Sequence, residues 1–281
     1  MILWLASYPK SGNTLLRSML SAYFFSEDGK FNFELLKNIK QFPDNSLFKN
    51  LGVNIENQKE VVKNYIRAQE EINRRDQKSI RFLKTHSALN DINNYKFTDL
   101  KNTLGVIYIV RDPRKIIKSY ANHSEISYKE VLDRILNIKT LGGNNDPINK
   151  TVIHTGSWSS NYQSWKEFKK IDKYLLIKYE DLTLQPEETF LSVLNFICKI
   201  TNSKLSINHT KLKNTLETTT FKYVQDLEKK NTFPESTTIK GKPYIKFFRY
   251  GNRNDGIDTP SDINNQLLHS LKKEMKELEY I

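Results

Sequence analysis

The sequence contains a single cysteine, Cys198, so no intrachain disulfide can form. That thiol lies in the apolar run 190–200, where it reads as core filling rather than as a nucleophile. A chain without disulfides fits a reducing compartment. There is no Cys/His cluster and no His-x-x-x-His pair, and no metal is expected. Long apolar runs are also missing. None approaches the roughly 18 residues of a membrane span, and the apolar opening, residues 1–6, is too short for the core of a secretory signal. Neither internal repeats nor a domain-separating linker can be seen, so the expectation is one cytoplasmic domain over residues 1–281 with no membrane span. Negative charge is scarce: 32 Asp and Glu stand against 44 Lys and Arg, a formal net charge of +12. Such an excess attracts polyanions, whether nucleic acid, an anionic nucleotide or an acidic acceptor. An enrichment in Lys, Asn and Ile along the whole chain accounts for it equally well.

What is present is a strand–helix alternation. Short apolar runs bounded by polar segments at Ile2–Ser7, Ile80–Lys84, Leu104–Val110 and Tyr174–Tyr179 predict buried strands of a parallel sheet. Helical patterns lie between and after them at Thr14–Phe25, Gln58–Arg75, Pro113–Asn122, Lys129–Leu136, Ser160–Phe168 and Glu187–Ile197, with a charged amphipathic helix at Asn264–Leu278. Asp112-Pro113 is a helix start with Asp as N-cap and Pro in the first turn. Turn formers mark loops at Leu141–Asn149 and Asn231–Gly256. The fold class implied is α/β, a central parallel sheet flanked by helices, with ligands at the carboxyl ends of the strands.

Two strand ends carry chemistry. After the first strand, Tyr8-Pro9-Lys10-Ser11-Gly12-Asn13-Thr14 turns into a helix. Such a turn aims backbone N–H groups and the positive end of the helix dipole at one point and can hold a phosphate. Lys10 adds a full charge, and Ser11, Asn13 and Thr14 add donors. It is not a Walker A loop, because Lys10 precedes the only Gly. After the third strand, Arg111-Asp112-Pro113-Arg114 is followed by Ser119, two turns into a helix. Arg111 and Ser119 can both reach a phosphate above that helix start, since arginine's planar fork binds phosphate oxygens bidentately and stays charged. The segment alone is equally compatible with Arg111 pairing to Asp112 and Ser119 being an ordinary surface residue.

Together these segments resemble the cytosolic-type sulfotransferases, which use 3'-phosphoadenosine 5'-phosphosulfate (PAPS). Tyr-Pro-Lys-Ser-Gly-x-Thr resembles that family's 5'-phosphosulfate loop, and Arg-x-Pro-x-x-x-x-x-Ser-Tyr its 3'-phosphate segment. Further family-like pieces follow in order at Lys84-Thr85-His86, Gly156-Ser157-Trp158, Tyr179-Glu180-Asp181-Leu182, Thr219-Thr220-Phe221 and Arg249-Tyr250-Gly251. The resemblance implies a P-loop-like α/β fold. It implies that Lys10, Ser11, Gly12, Asn13 and Thr14 bind the 5'-phosphosulfate, and that Arg111, Ser119, Arg249 and the Gly251 backbone bind the 3'-phosphate. By the same resemblance Tyr179 contacts adenine, Phe221 stacks on it, and His86 is the catalytic base. The implied product is adenosine 3',5'-bisphosphate, with no metal. Leu15 stands where many relatives carry an adenine-stacking Trp, and Tyr250 replaces a basic residue for which Arg253 or Lys246 could compensate.

In chemical terms, sulfuryl transfer needs in-line positioning and charge stabilisation. A histidine near its reference pKa of about 6.5 can take the acceptor's proton, and Lys10 can stabilise the departing nucleotide. His86 follows a predicted strand; His123, close after the Arg111 helix, is the second choice. The acceptor expected is a hydroxyl or amine of a small molecule or carbohydrate, met by segments 25–50, 89–96, 142–143 and 231–246, and no nucleic acid is expected. Two rivals stand beside this reading: a nucleotide-dependent kinase on a related fold, and a non-catalytic basic protein that binds nucleotide or nucleic acid.

Overall fold

Residues 2–7 are all shielded from solvent, and they form the strand at the centre of the molecule. The computed structural model describes residues 1–75, 80–143, 150–203, 206–231, 233, 247, 248 and 259–281. Its first part runs β1 (Ile2–Ser7), α1 (Asn13–Phe25), a 3₁₀ turn (Phe33–Asn38), β2 (Lys40–Gln41), α2 (Asn45–Asn50), α3 (Gln58–Lys63), α4 (Tyr65–Arg74) and β3 (Arg81–Thr85). Then come β4 (Thr103–Val110), α5 (Pro113–Ser124), α6 (Tyr128–Leu136), β5 (Lys139–Leu141), β6 (Ile153–Gly156) and α7 (Trp158–Lys166). A 3₁₀ turn (Glu167–Ile171), β7 (Tyr174–Lys178), α8 (Tyr179–Leu184) and α9 (Pro186–Thr201) follow. The chain closes with α10 (His209–Thr218), α11 (Phe221–Lys230), α12 (Ser261–Ser270) and α13 (Lys272–Glu277).

Five strands form one sheet in the order β2-β3-β1-β4-β7, and every pairing in it is parallel. β1 therefore has partners on both sides, and β1 and β4 read as continuous apolar runs because helices cover both faces of the sheet. The two-residue period of a strand divides the core. Ile2, Trp4 and Ala6 of β1 and Val106, Tyr108 and Val110 of β4 point to one side, with Tyr65, Trp158 and Trp165. Leu3, Leu5, Ile107 and Ile109 point to the other, with α1 and α9. Trp4 packs among Phe97, Phe42 and Trp165 at ring-centroid separations of 5.3, 5.6 and 6.0 Å, and its indole N–H donates to Thr103 Oγ1 at 3.1 Å.

The helix expected over Gln58–Arg75 is broken at Asn64, which ends α3 and begins α4. The helix expected at Asn264–Leu278 starts earlier, at Ser261, and divides at Leu271. Cys198 is half-buried on α9, one position beyond the buried Val193, Leu194, Phe196 and Ile197. β5 and β6 form a separate antiparallel pair that sequence periodicity did not predict. Among the described residues no helix is long and apolar enough to cross a membrane.

Candidate functional site

The carboxyl ends of β1, β3, β4 and β7 lie side by side, and each delivers one of the expected groups within a residue or two of its end. β1 is followed by the loop 8–12, β3 by His86, β4 by Arg111, and β7 by Tyr179. This is the edge at which parallel α/β sheets bind ligands.

The loop after β1 is held from below. Asn13 Nδ2 donates to the carbonyl of Leu5 at 2.8 Å and to Ser7 Oγ at 3.1 Å, so this amide ties the loop to its own strand. The Tyr8 hydroxyl donates to the carbonyl of Arg134 on α6 at 2.7 Å; burial holds that phenol well above its usual pKa and keeps it neutral. Gly12 caps α1 at φ 97°, a conformation that glycine alone adopts without strain. A Cβ there would come within 2.2 Å of Tyr179 Cδ2, so the Tyr179 ring packs directly on this backbone. Lys10 is itself left-handed, at φ 66°, a cost of about 1–2 kcal/mol for a residue with a Cβ. Its carbonyl accepts from Arg111 Nη1 at 3.2 Å. Ser11 Oγ is buried without a hydrogen-bond partner. Beside it α1 begins: the Leu15 N–H donates to the Gly12 carbonyl at 3.0 Å, whereas those of Asn13 and Thr14 come too early in the helix for an intrahelical acceptor.

Arg111 does not pair with Asp112. Asp112 caps α5 through the Arg114 N–H at 2.9 Å, and its carboxylate is forked by the Arg114 side chain at 2.6–3.0 Å. The Arg111 guanidinium instead lies 4.2 Å from the centroid of the Tyr179 ring, and its Nε is buried without a partner. No ion pair to Arg111 is found among the described residues. Tyr179 is held above its usual pKa first by burial; the Arg111 charge works in the opposite direction. Ser119 is half-exposed on α5, and its hydroxyl makes no hydrogen bond among the described residues.

His86 Nδ1 lies 2.9 Å from the Ser7 carbonyl and 3.2 Å from Ser7 Oγ. A carbonyl can only accept, so Nδ1 carries the proton and the lone pair of the neutral ring is on Nε2. The backbone at His86 is pinned as well. Asn161 Nδ2 donates to its carbonyl at 3.0 Å, and Asn161 Oδ1 accepts from the Tyr108 hydroxyl at 2.8 Å. Ser7 and Asn161 escaped sequence reasoning. Ser7 could have been suspected from its place at the strand end, whereas no local signal marks Asn161.

The remaining expected residues are distributed as follows. Thr14 is the second residue of α1, and Phe221 opens α11, half-buried behind the Thr220 N-cap. Leu15 packs against the core cluster of Leu3 and Leu5. Arg249, Gly251, Tyr250, Arg253 and Lys246 lie outside the described residues. Phe247, which sequence reasoning passed over, sits with its ring centroid 4.3 Å from Lys10 Nζ and 5.7 Å from the His123 ring. The carboxylate of Glu228 accepts the N–H groups of Phe247 and Phe248 at 2.5 and 2.9 Å. These two rings join Phe31, Phe33 and Phe233 in an aromatic cluster on the Lys10 side. Among the described residues no group of three or more His, Cys, Asp or Glu gathers in a metal-binding arrangement.

The model of one protein family, described as the sulfotransferase domain, matches residues 2–277. Similar solved structures include a mouse sulfotransferase complexed with PAP. It is 17% identical, the alignment covers 98% of this chain and 84% of that one, and the TM-score is 0.57. Retinol dehydratase in complex with androsterone and inactive cofactor PAP is 14% identical, over 98% of this chain and 80% of that one, with a TM-score of 0.58. The same enzyme with retinol and PAP is 15% identical at a TM-score of 0.58, over 98% and 81%. At such identities these likenesses establish a shared fold. No curated protein sequence matches the chain.

Proposed function

The chain belongs to the sulfotransferase domain family, and from that premise we propose that it transfers a sulfuryl group from PAPS to an acceptor hydroxyl or amine. The observation that carries this reading is a set of donors without an acceptor. Two buried donors are unpartnered next to Lys10: Ser11 Oγ, on the following residue before α1, and Nε of Arg111, whose guanidinium donates to the Lys10 carbonyl. Leaving such groups unsatisfied costs about 1–3 kcal/mol each, and more for a charged one. An anion with oxygens at both ends fits that set, as PAPS has in its 5'-phosphosulfate and 3'-phosphate. The fold-level likeness to structures that hold PAP supports the same donor.

In this reading Lys10, Ser11 and the first N–H groups of α1, including those of Asn13 and Thr14, hold the 5' end. Arg111 and Ser119 hold the 3'-phosphate, with Arg249 and the Gly251 backbone. Phe221 stacks on adenine, and Tyr179 supports Arg111 at the adenine edge. His86 Nε2 takes the acceptor's proton as the acceptor oxygen or nitrogen bonds to sulfur. The bond between sulfur and the bridging phosphate oxygen breaks, and Lys10 stabilises the charge left on that oxygen. The Ser7 carbonyl favours the tautomer this step needs and stabilises the imidazolium that results. The aromatic cluster beside Lys10 suits an acceptor with an apolar or sugar-ring face, hence a small molecule or carbohydrate.

A kinase would need a lysine after the loop glycine, but Asn13 stands there with its amide tied to Leu5 and Ser7. Calorimetric titration separates the readings. Adenosine 3',5'-bisphosphate should bind far more tightly than AMP, and tighter binding of ATP with Mg²⁺ would replace this proposal with the kinase. Labelled donor incubated with metabolite extract, followed by mass identification of the product, then finds the acceptor.

A further inference from the structure

Tyr280 is a hundred residues from Glu180 in sequence, yet its hydroxyl donates to Glu180 Oε2 at 3.1 Å. The other oxygen of that carboxylate accepts the backbone N–H of Asp112 at 3.1 Å. Asp112 is forked by Arg114, and Arg114 Nη2 donates onward to the Tyr280 carbonyl at 2.9 Å. The four residues form a closed ring: Asp112, Glu180, Tyr280, Arg114 and back to Asp112. Tyr280 is fixed from outside that ring too. Its N–H donates to the carbonyl of Met275, a fully buried residue, at 2.8 Å, and Lys178 Nζ lies 5.5 Å from its ring centroid.

The ring sits directly behind Arg111. Val110 and Lys178 are partners in the β4–β7 ladder, so Arg111 and Tyr179 leave the sheet at the same level and meet guanidinium to ring. Asp112 follows Arg111 and Glu180 follows Tyr179, so a carboxylate is next in sequence to each member of that pair. Either carboxylate, if released, would be drawn to the guanidinium and cancel its charge for an anionic ligand. The ring engages both.

We propose that Tyr280 is a positioning residue for nucleotide recognition: by closing the ring it keeps Glu180 and Asp112 off Arg111 and holds the Arg111–Tyr179 stack in place. This rests on the reading that Arg111 binds the 3'-phosphate, and the test separates the two. Calorimetric titrations with adenosine 3',5'-bisphosphate and with AMP are made on the unmodified protein, Tyr280→Phe, Glu180→Gln, their double variant and Arg111→Ala. Tyr280→Phe should weaken bisphosphate binding by about three- to tenfold, the scale of one hydrogen bond to a charged group acting at one remove. AMP binding should stay unchanged. Glu180→Gln, which leaves no charge there to cancel Arg111, should keep the ratio of the two affinities near that of the unmodified protein, and the double variant should recover most of what Tyr280→Phe loses; a double variant as weak as Tyr280→Phe would overturn the inference. A ratio unaltered in Tyr280→Phe but lowered in Arg111→Ala overturns the role of Tyr280 alone. A ratio unaltered in Arg111→Ala overturns the 3'-phosphate assignment and this inference with it. Equal losses for both nucleotides would show Tyr280 to be a general stabiliser and overturn the inference as well.

Discussion

The backbone carbonyl of Lys10 accepts a hydrogen bond from the guanidinium of Arg111, at 3.2 Å, across 101 positions of sequence. The residue proposed to grip the 3'-phosphate thus also steadies the left-handed turn that presents the 5' loop. The two ends of the proposed nucleotide site are joined by a direct hydrogen bond.

Replacing Arg111 should therefore be felt at both ends, unequally. Arg111→Ala is expected to weaken adenosine 3',5'-bisphosphate by about 2–5 kcal/mol, the scale for truncating a buried charge pair, and AMP by much less. Arg111→Lys should recover little, because an ammonium keeps the charge but loses the guanidinium's planar fork, which lies over the Tyr179 ring. Titration calorimetry on both variants decides this; equal losses for the two nucleotides would count against the assignment.

His86→Ala should leave nucleotide affinity nearly unchanged and lower turnover by roughly 10²–10⁴-fold. His86→Asn should not rescue it, since an amide of similar size cannot take the proton. Single-turnover transfer with an identified acceptor is the measurement. Near-normal transfer in either variant would pass attention to His123, whose ring shares Phe247 with Lys10.

Gly12→Ala meets two separate penalties: a φ of 97° and a Cβ placed 2.2 Å from Tyr179 Cδ2. The backbone penalty alone is about 1–3 kcal/mol. Thermal unfolding should show the variant destabilised and titration should show nucleotide binding reduced. Adding Tyr179→Ala should relieve the clash but not the backbone strain, so recovery of stability should be partial. Full recovery would mean that the ring contact is the whole cost.

His154 is held below the usual histidine pKa by burial, and its Nε2 is buried without a partner. Because its folded pKa is lowered, the unfolded chain binds the proton more readily between the folded value and about 6.5. Stability tied to this group is complete above about 6.5 and falls as pH drops toward the lowered folded value. Urea denaturation across that window should show the decline, and His154→Gln should flatten it. An unchanged slope in the variant would assign the decline to other groups.

Much of this was legible in the sequence, for reasons that differ by element. β1 and β4 were plain because a strand covered on both faces is continuously apolar, and α5 because Asp112-Pro113 is a start signal that geometry confirms. The division of labour between Arg111 and Arg114 could not be read. Both flank Asp112, and only the fold decides which one its carboxylate engages. α2 and α8 were missed because each is six residues long, too short to develop a periodic face. Tyr179 was read as the end of a strand and opens a helix instead. Ser7, Asn161 and Tyr280 have hydrogen-bond partners far away in sequence, and residue type alone does not announce such pairings.

The registry of the sheet has an operational consequence. Ala6 lies opposite Thr85 and Ser7 opposite Ile109, so the loop, the histidine and the arginine are levelled against one another by the main-chain ladder of three adjacent strands. Their alignment resembles marks ruled on one plate rather than the closing of jaws. Warming the protein should therefore not blur the spacing of the histidine and the loop ahead of global melting; these groups should stay in register until the plate itself gives way.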